Sequence, residues 1–337
     1  MSGRVPTVFL GSGSFALPIL ERVSGLDDVR LISVVSAPAR AAGRGGKRQM
    51  TPVAAWATAA GLDTLTPIRL RAAAAIADLR RLRPALIVLA DYGQIVPTEL
   101  LDLPPHGALN LHPSLLPRHR GASPIAATIM AADRETGVSL MRMDAGLDTG
   151  PLIARRGITL EGNETAAELE QRLAVLAADL LADSLPAWLA GDIEARPQPP
   201  TGATTTRPLR RADGWLDPAR PAYLLERQVR AYQPWPGSYL DTVVGRLIVW
   251  RSRLPPGRAM EAAPAPAGRL VPLPTDGGGG GLGLATSSGV LELVDVQPAG
   301  GRRMSAAELV RGRPQMVGSA VVQTPIEPSG AGSGPER

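Results

Sequence analysis

The sequence predicts two domains, a doubly wound α/β domain followed by a small β-barrel of the OB-fold type. In the first half, apolar runs typical of buried parallel strands alternate with helical segments. In the second half, five short runs of alternating polarity are separated by turn residues. A stretch rich in Pro, Thr and Gly separates the halves and is typical of a linker. The expected division is an α/β domain at 1–189, a linker at 190–206, a barrel domain at 207–317 and a disordered tail at 318–337.

The first domain is predicted to alternate strands with helices. Val5–Leu10 and Arg30–Val35 read as strands on either side of a helix at Leu17–Ser24. Proline supplies boundaries, because the residue before Pro84 avoids helical geometry and Pro124 suits the first turn of a helix. The other predicted elements are helices at Pro52–Ala60, Ala72–Arg83, Pro124–Ala132 and Thr165–Leu189, and strands at Ala85–Ala90 and Val138–Met143. In such a sheet we expect the binding site at the carboxyl ends of the strands.

The second domain is predicted to be mostly antiparallel strands. The strands are expected at Ser238–Thr242, Gly245–Leu254, Gly268–Leu273, Gly281–Thr286 and Val290–Gln297. Helices are predicted at Pro221–Ala231 and Met304–Gly312. The glycine run Gly277–Gly281 is interpreted as a flexible hairpin loop.

Composition excludes several classes of protein. The 337 residues contain no cysteine, which excludes disulfides, thiolate metal sites and cysteine catalysis. The three histidines all lie between His106 and His119, so we expect no metal site. No apolar run approaches ~20 residues and no signal-peptide pattern opens the chain. We therefore expect a cytoplasmic monomer with no membrane partner.

The positive charge of the chain lies in its second half. Residues 207–337 carry 16 arginines and 11 acidic residues, a net charge of +5, which equals the net charge of the whole chain. The first 206 residues therefore carry no net charge. A basic domain suits a polyanionic partner, since arginine pairs with phosphate, although ordinary surfaces also carry a modest excess of arginine.

The turn after the first strand allows a nucleotide-binding interpretation. Gly11, Gly13 and Ala16 have the spacing of the dinucleotide fingerprint. Against it, no acidic residue closes the next strand, and a doubly wound sheet needs a glycine-rich first turn for close helix packing. An NAD(P)-dependent oxidoreductase remains an alternative at this point.

Polar residues follow the predicted strand at Ala85–Ala90, in the stretch Gly107–Gly121. Asn110 and His112 stand two residues apart, so on an extended segment their side chains share one face. Pro113 and Pro117 cannot donate to a ladder, so the segment must leave the sheet there. An amide and an imidazole at the end of a strand suit a polar reaction site. A proline-rich connection with incidental histidines is the alternative interpretation.

Two carboxylates complete the candidate site, in the segment Asp144-Ala-Gly-Leu-Asp148-Thr-Gly150. A carboxylate near His112 would raise its pKa and orient the ring. Read as chemistry, Asn110 and a protonated His112 would donate to a developing oxyanion, and Asp148 would hold His112 charged or take up a proton.

The two stretches together resemble the signature of the folate-dependent formyltransferases. The resemblance implies that Asn110, His112 and Asp148 are the catalytic trio. It implies 10-formyltetrahydrofolate as the formyl donor and requires no metal. The residues that it assigns to folate are Tyr92, Gly93, Gln94, Ile95, Ser114, Leu115, Leu116, Pro117 and Asp144.

Within that group the chain resembles the methionyl-tRNA formyltransferases over about residues 5 to 317. The second-half motifs that carry this resemblance are Asp213-Gly-Trp-Leu-Asp217, Arg230-Ala-Tyr-Gln-Pro-Trp-Pro-Gly237 and Val296-Gln-Pro-Ala-Gly-Gly-Arg-Arg-Met-Ser305. It implies formyl transfer to the methionine of initiator tRNA. A basic segment at 36–52, which we expect to be mobile until it meets phosphate, would contact the acceptor arm. The residues assigned to tRNA are Arg40, Arg44, Lys47, Arg48, Arg207, Arg210 and Arg211, and the family usually has lysine near the last three.

Other functions remain open on these patterns. A formyltransferase that acts on a small amine would share the trio but would not need a basic second domain. A nucleic-acid binder with an inert α/β partner would bind tRNA regardless of His112. The NAD(P) hypothesis leaves Asn110, His112 and Asp148 without a role.

Overall fold

The computed structural model describes residues 3–42, 46–255, 265–274 and 280–322. The chain divides into two compact units. Met1–Thr128 and Asp133–Pro208 form the first, and Ile129–Ala132 with Leu209–Arg337 form the second.

The first unit is a mostly parallel sheet with connecting helices. Its strands are β1 (Val5–Gly11), β2 (Val29–Val35), β3 (Arg40–Ala42), β4 (Lys47–Gln49), β5 (Thr64–Leu65), β6 (Leu86–Ala90), β7 (Ala108–His112), β8 (Arg120–Gly121), β9 (Glu135–Arg142), β10 (Leu152–Thr159) and β11 (Thr205–Thr206). Its helices are α1 (Ala16–Ser24), α2 (Pro52–Ala59), α3 (Ala73–Leu82), α4 (Thr98–Leu101) and α6 (Ala166–Ala190), and α5 (Pro124–Ala131) runs across the boundary at Thr128. The seven-stranded main sheet has the order β10-β9-β7-β6-β1-β2-β5.

Strand direction agrees with the predicted doubly wound fold. β1 pairs in parallel with β2 and β6, and β6 pairs in parallel with β7. β9 and β10 extend the sheet in antiparallel steps. All five residues of β6 are buried, as expected for a parallel strand covered on both faces.

The long helix α6 is a core element of the first unit. Its capping box joins Thr165 and Glu168, and it ends at Gly191 with φ 82°, the left-handed conformation that glycine adopts at little cost. Leu169, Leu173 and other residues along the helix are buried. By length and composition alone α6 could span a bilayer, although charged residues interrupt its apolar sequence. Burial against α1, β9 and β10 accounts for its apolar character.

The basic segment at 36–52 has more structure than its composition predicts. β3 and β4 pair as an antiparallel hairpin, and the guanidinium of Arg48 donates to the carbonyl of Ala39 at 3.0 Å. The extended arms at 40–42 and 47–49 satisfy each other's backbone, and the mobility of the segment before it meets phosphate stays a prediction. Arg44 lies outside the described residues. The side chains of Arg40 and Arg48 are exposed.

The predicted linker at 190–206 lies within the first unit, and its first residue is the last residue of α6. Arg196 and Leu152 form a pair of backbone hydrogen bonds at 2.7 and 2.8 Å. β11 pairs in parallel with β8. The segment has no apolar periodicity because backbone and polar side-chain contacts hold it in place.

The second unit is an antiparallel sheet with two helices, α7 (Ala222–Ala231) and α8 (Ala306–Gly312). Its strands are β12 (Ser238–Thr242), β13 (Gly245–Arg253), β14 (Leu270–Leu273), β15 (Gly281–Ala285), β16 (Val290–Pro298) and β17 (Met304–Ser305). The order is β12-β13-β16-β15-β14, and β17 pairs with β16. Ala320 and Val321 bridge to Arg269 and Thr242, so the 320–321 segment connects the two edges of the sheet. Leu240, Leu247 and Leu284 are among the leucines that fill its core.

The predicted strands of this unit are present with small shifts at their ends. The last helix begins later than predicted, because Ser305 caps it and Met304–Ser305 pair as a strand. Most of the glycine run at 277–281, and residues 323–337 of the predicted tail at 318–337, lie outside the described residues. The start of that predicted tail belongs to the fold instead, since Ala320 and Val321 bridge to the sheet.

Candidate active site

The strand β7 presents Asn110 and His112 on one face, as their spacing predicts. β7 lies between β6 and β9 in the interior of the main sheet, and the two residues are only 6% and 5% exposed. Both contact Asp148. The Asn110 Nδ2 atom lies 3.4 Å from Asp148 Oδ1, and His112 Nδ1 lies 3.6 Å from Asp148 Oδ2. The structure thus brings the predicted trio together.

Asp148, the third member of the trio, lies on a loop whose two ends are held by backbone hydrogen bonds. Met143 N donates to Ala108 O at 2.8 Å and Arg142 N donates to Pro151 O at 3.0 Å, so the loop leaves and returns at the same place. Asp148 itself has φ 52°, a left-handed conformation that costs a non-glycine residue energy. The Gly121 amide donates to Asp148 Oδ2 at 2.7 Å and orients the carboxylate.

His112 is held through one ring nitrogen, and its other ring nitrogen lies beside Asp148. Its Nε2 donates to the carbonyl oxygen of His119 at 2.9 Å. Nδ1 then faces Asp148. Burial lowers the pKa of His112 below its ordinary value, although the Asp148 charge and the His119 carbonyl act in the opposite direction. The lowered pKa argues against the expectation that Asp148 holds His112 protonated in the free protein, because the loss of hydration outweighs the attraction of one carboxylate.

Further contacts fix the position of the His119 carbonyl, to which His112 donates. The ring of His119 lies 2.7 Å, Nε2 to Oδ2, from Asp133. The His119 amide donates to the Thr204 hydroxyl at 2.8 Å. Asp133 also accepts from Arg118 at 2.5 Å. His119 is thus held at both its backbone and its ring.

Gln198 holds the loop that carries Asp148, a role that no sequence pattern predicts. Its Nε2 donates to the carbonyls of Asp148 and Gly150 at 2.7 and 2.9 Å. Its Oε1 accepts from the Arg120 guanidinium, with the shorter bond at 2.7 Å. The residue lies in the proline-rich stretch, where no local pattern indicates a function. Only the folded chain brings it under the Asp148 loop.

The predicted folate loop Ser114–Pro117 is packed into the fold. Ser114 and Leu116 are fully buried, and the Ser114 hydroxyl donates to Arg118 O at 2.6 Å. Leu116 packs with Met141 and Leu152. Leu115 is the partly exposed side chain of this loop.

The other residues assigned to folate lie in two loops. Ile95 is 89% exposed, whereas Tyr92 is buried and burial raises its pKa to about 12. Gln94 donates to Pro67 O and accepts from Leu70 N, so it ties two loops together. Gly93 adopts φ 76°. The Asp144 carboxylate accepts from Gly146 N and the Thr149 hydroxyl, so it shapes the loop that carries Asp148.

The backbone amides of the glycine turn after β1 already form hydrogen bonds within the protein. The amides of Ser12 and Gly13 donate to the carbonyl of Asp91 at 3.0 and 3.4 Å. A Cβ at Gly13 would lie 1.7 Å from a carboxylate oxygen of Asp91, and one at Gly11 would lie 2.6 Å from the Phe9 ring. These glycines therefore serve packing. Amides that point at a carbonyl are not available to a pyrophosphate, which weakens the NAD(P) alternative.

The other arginines assigned to tRNA, Arg207, Arg210 and Arg211, lie on either side of the boundary between the two units. Arg207 donates to Pro208 O at 2.9 Å, Arg210 N donates to Asp213, and the Arg211 guanidinium lies over the Trp235 ring. Arg210 and Arg211 are exposed.

Comparison with known proteins gives consistent matches over both halves. Residues 5–185 match the formyl transferase family, and residues 208–314 match the formyl transferase C-terminal domain. The chain is 42% identical over 321 residues to the methionyl-tRNA formyltransferase of Halorhodospira halophila, covering 95% of this chain and 100% of that protein. It is 41% identical over 313 residues to that of Roseiflexus sp., covering 90% and 91%. The fold is similar to that of HypX from Aquifex aeolicus in complex with tetrahydrofolic acid, with a TM-score of 0.58, 14% identity and coverage of 91% of this chain and 47% of that one.

Proposed function

The chain belongs to the methionyl-tRNA formyltransferase family, and from this premise we propose that it transfers the formyl group of 10-formyltetrahydrofolate to the α-amine of methionine on initiator tRNA. The observation that carries the proposal is the convergence of Asn110, His112 and Asp148 at the end of β7. The basic second unit and the 40–49 hairpin support a tRNA substrate. Such an enzyme acts in the cytoplasm.

The reaction begins with direct attack of the amine on the formyl carbon. A carbon–nitrogen bond forms, and the carbonyl electrons move to oxygen as an oxyanion. The Asn110 amide, which needs no change of charge to act, donates a hydrogen bond to that oxygen. One such donor typically contributes ~10² to 10³ in rate.

His112 carries the proton from the attacking nitrogen to the leaving nitrogen. In this scheme the ring begins neutral, because burial lowers its pKa, and Nδ1 carries no proton, because Nε2 donates to the His119 carbonyl. Nδ1 takes the proton from the nitrogen that has become positively charged, directly or through one water. The imidazolium is stabilised by Asp148 and faces the oxyanion. When the carbonyl re-forms, the carbon–nitrogen bond to the folate breaks and His112 returns the proton to the folate nitrogen.

Asp148 performs two tasks in this scheme. Its carboxylate compensates the positive charge that forms on His112, and its position, set by Gly121 and Gln198, fixes where that charge can form. We assign the folate to the loops that carry Ile95 and Leu115, whose side chains are exposed or partly exposed.

The proposal is tested by offering labelled 10-formyltetrahydrofolate with methionyl initiator tRNA or with small amines such as amino-sugar nucleotides. Transfer to tRNA alone is the expected result. Transfer to a small amine alone would overturn the assignment of substrate and keep the site. His112→Ala should lose at least ~10²-fold in rate. His106→Ala is the matched control, since this histidine lies before β7 and outside the trio.

A further inference from the structure

The described arginine–aromatic pairs all lie in the second unit, and two of them are neutralised. Arg246 lies 4.3 Å from the Tyr239 ring centroid and pairs with Asp241 at 2.7 Å. Arg303 lies over Trp250 and pairs with Asp295 at 2.9 Å. Both rings are only partly exposed. Such pairs are explained as parts of the sheet surface, where a carboxylate compensates each guanidinium.

The other two pairs differ in charge and exposure. Arg211 lies 5.5 Å from the Trp235 centroid, and Arg227 lies 5.2 Å from that of Tyr223. Within the described part of the chain, neither guanidinium has a carboxylate within 4.0 Å. Trp235 is 53% exposed and Tyr223 is 46% exposed. Arg227 and Tyr223 are neighbours one turn apart on α7, a common arrangement on a helix surface.

Arg211 and Trp235, in contrast, come from separate segments that the fold holds together. The short helix Arg211–Gly214 approaches the 232–237 loop so closely that a Cβ on Gly214 would lie 2.3 Å from Gly237 O. Gln228 of α7 donates to the carbonyls of Asp213 and Trp215 at 3.1 and 3.0 Å. The pair is therefore built by tertiary contacts rather than by helical spacing.

The loop that carries Trp235 is also fixed on its own side. Gly237 N donates to Tyr232 O at 2.7 Å and closes the loop. The Gln233 amide donates to Val249 O at 3.1 Å and ties it to β13. A half-exposed indole on a loop held at both ends is ordered before any partner arrives. Its binding then costs little side-chain entropy.

We propose that Trp235 and Arg211 form a stacking platform for an unpaired base of the tRNA, with the guanidinium of Arg211 on the adjacent phosphate. The indole offers a large apolar face, and bases that are not paired can stack on aromatic side chains. The cation has no internal counter-charge, and residues 207–337 carry a net charge of +5, which favours a polyanion over an apolar protein partner. This inference rests on the proposed function and adds a base contact to it.

Equilibrium binding of labelled initiator tRNA over a series of salt concentrations tests the platform. Trp235→Leu should weaken binding by about 5- to 150-fold at every salt concentration, with an unchanged slope of log affinity against log salt, since stacking releases no counterions. Arg211→Gln should reduce that slope by about 0.7 to 0.9, the value of one lost phosphate contact. Trp235→Tyr should keep most of the affinity.

The matched control is Tyr223→Leu, which removes an equally exposed ring beneath an arginine and should change binding less than about twofold. Unchanged binding in Trp235→Leu would overturn the platform. So would equal losses in Trp235→Leu and Trp235→Tyr, because those losses would report a damaged loop. Formylation by the wild type is measured separately. If the wild type binds tRNA through Trp235 but does not formylate it, the proposed function fails and the platform stands.

Discussion

Gln198 gives the sharpest test of how the active site is held. Gln198→Leu removes the two hydrogen bonds to the Asp148 and Gly150 carbonyls and the acceptor of Arg120. Each neutral bond contributes about 0.5–1.5 kcal/mol. Gln198 is only partly buried, so water replaces part of the loss and about 1–2 kcal/mol remains. If that loss acts on the position of Asp148, kcat falls by roughly 5- to 30-fold.

The assay is single-turnover formyl transfer at saturating folate and tRNA, with the melting temperature measured in parallel. Gln297→Leu is the matched control. Gln297 accepts from Trp250 Nε1 at 2.9 Å and donates to Gly301 O at 2.8 Å in the second unit, so its loss should lower stability comparably and leave the chemical step alone. A Gln198 variant with normal kcat, or a Gln297 variant with the same loss, would refute the claim that Gln198 acts through Asp148.

Four further outcomes follow from the geometry. The His112 resonance should titrate below pH 6.5 in an NMR titration of the three histidines, because burial lowers its pKa. The resonance is assigned through its loss in His112→Gln. A midpoint above pH 6.5 would contradict the neutral ring. The contribution of His112 to stability is complete above pH 6.5 and is lost as pH falls through the lowered pKa, since only the unfolded chain takes up the proton in that range. The difference between the denaturant midpoints of wild type and His112→Gln should therefore be constant above pH 6.5 and change below it, as the wild type loses stability that the variant keeps. Asn110→Ala should lose ~10² to 10³ in kcat with folate affinity retained, and a loss confined to KM would remove it from the oxyanion. Reversing Arg40 and Arg48 together to glutamate should raise KM for tRNA and leave the folate dissociation constant unchanged, as measured by steady-state kinetics and titration.

Much of the fold follows from local pattern. The buried run of β6, the capped start of α6 and the alternation of β13 are all visible in the sequence, because each reports burial or a backbone requirement of its own segment. The β3–β4 hairpin is not visible, because Gly, Ala and Arg carry no strand signal and only their mutual pairing orders them.

The trio could be predicted because its sequence pattern is local, whereas the residues that support it act over long separations in sequence. The two-residue spacing of Asn110 and His112 on a strand fixes a shared face, which is a local property. Gln198 and Thr204 act at positions some 50 and 85 residues from the groups that they hold, and their surroundings are proline-rich. A side chain that works through one distant carbonyl or amide leaves no periodicity to detect.

The direction of the pKa shift of His112 could not be predicted because it depends on how completely the fold removes water. The sequence predicts a carboxylate nearby, which argues for a charged ring, but it does not show that the residue is only 5% exposed. That difference changes the order of events. A ring that begins charged could stabilise the oxyanion but could not accept the amine proton. A ring that begins neutral becomes an oxyanion donor only after it has taken that proton. Stabilisation of the intermediate is then tied to deprotonation of the attacking amine, and Asp148 matters most at the moment when the charge on His112 appears.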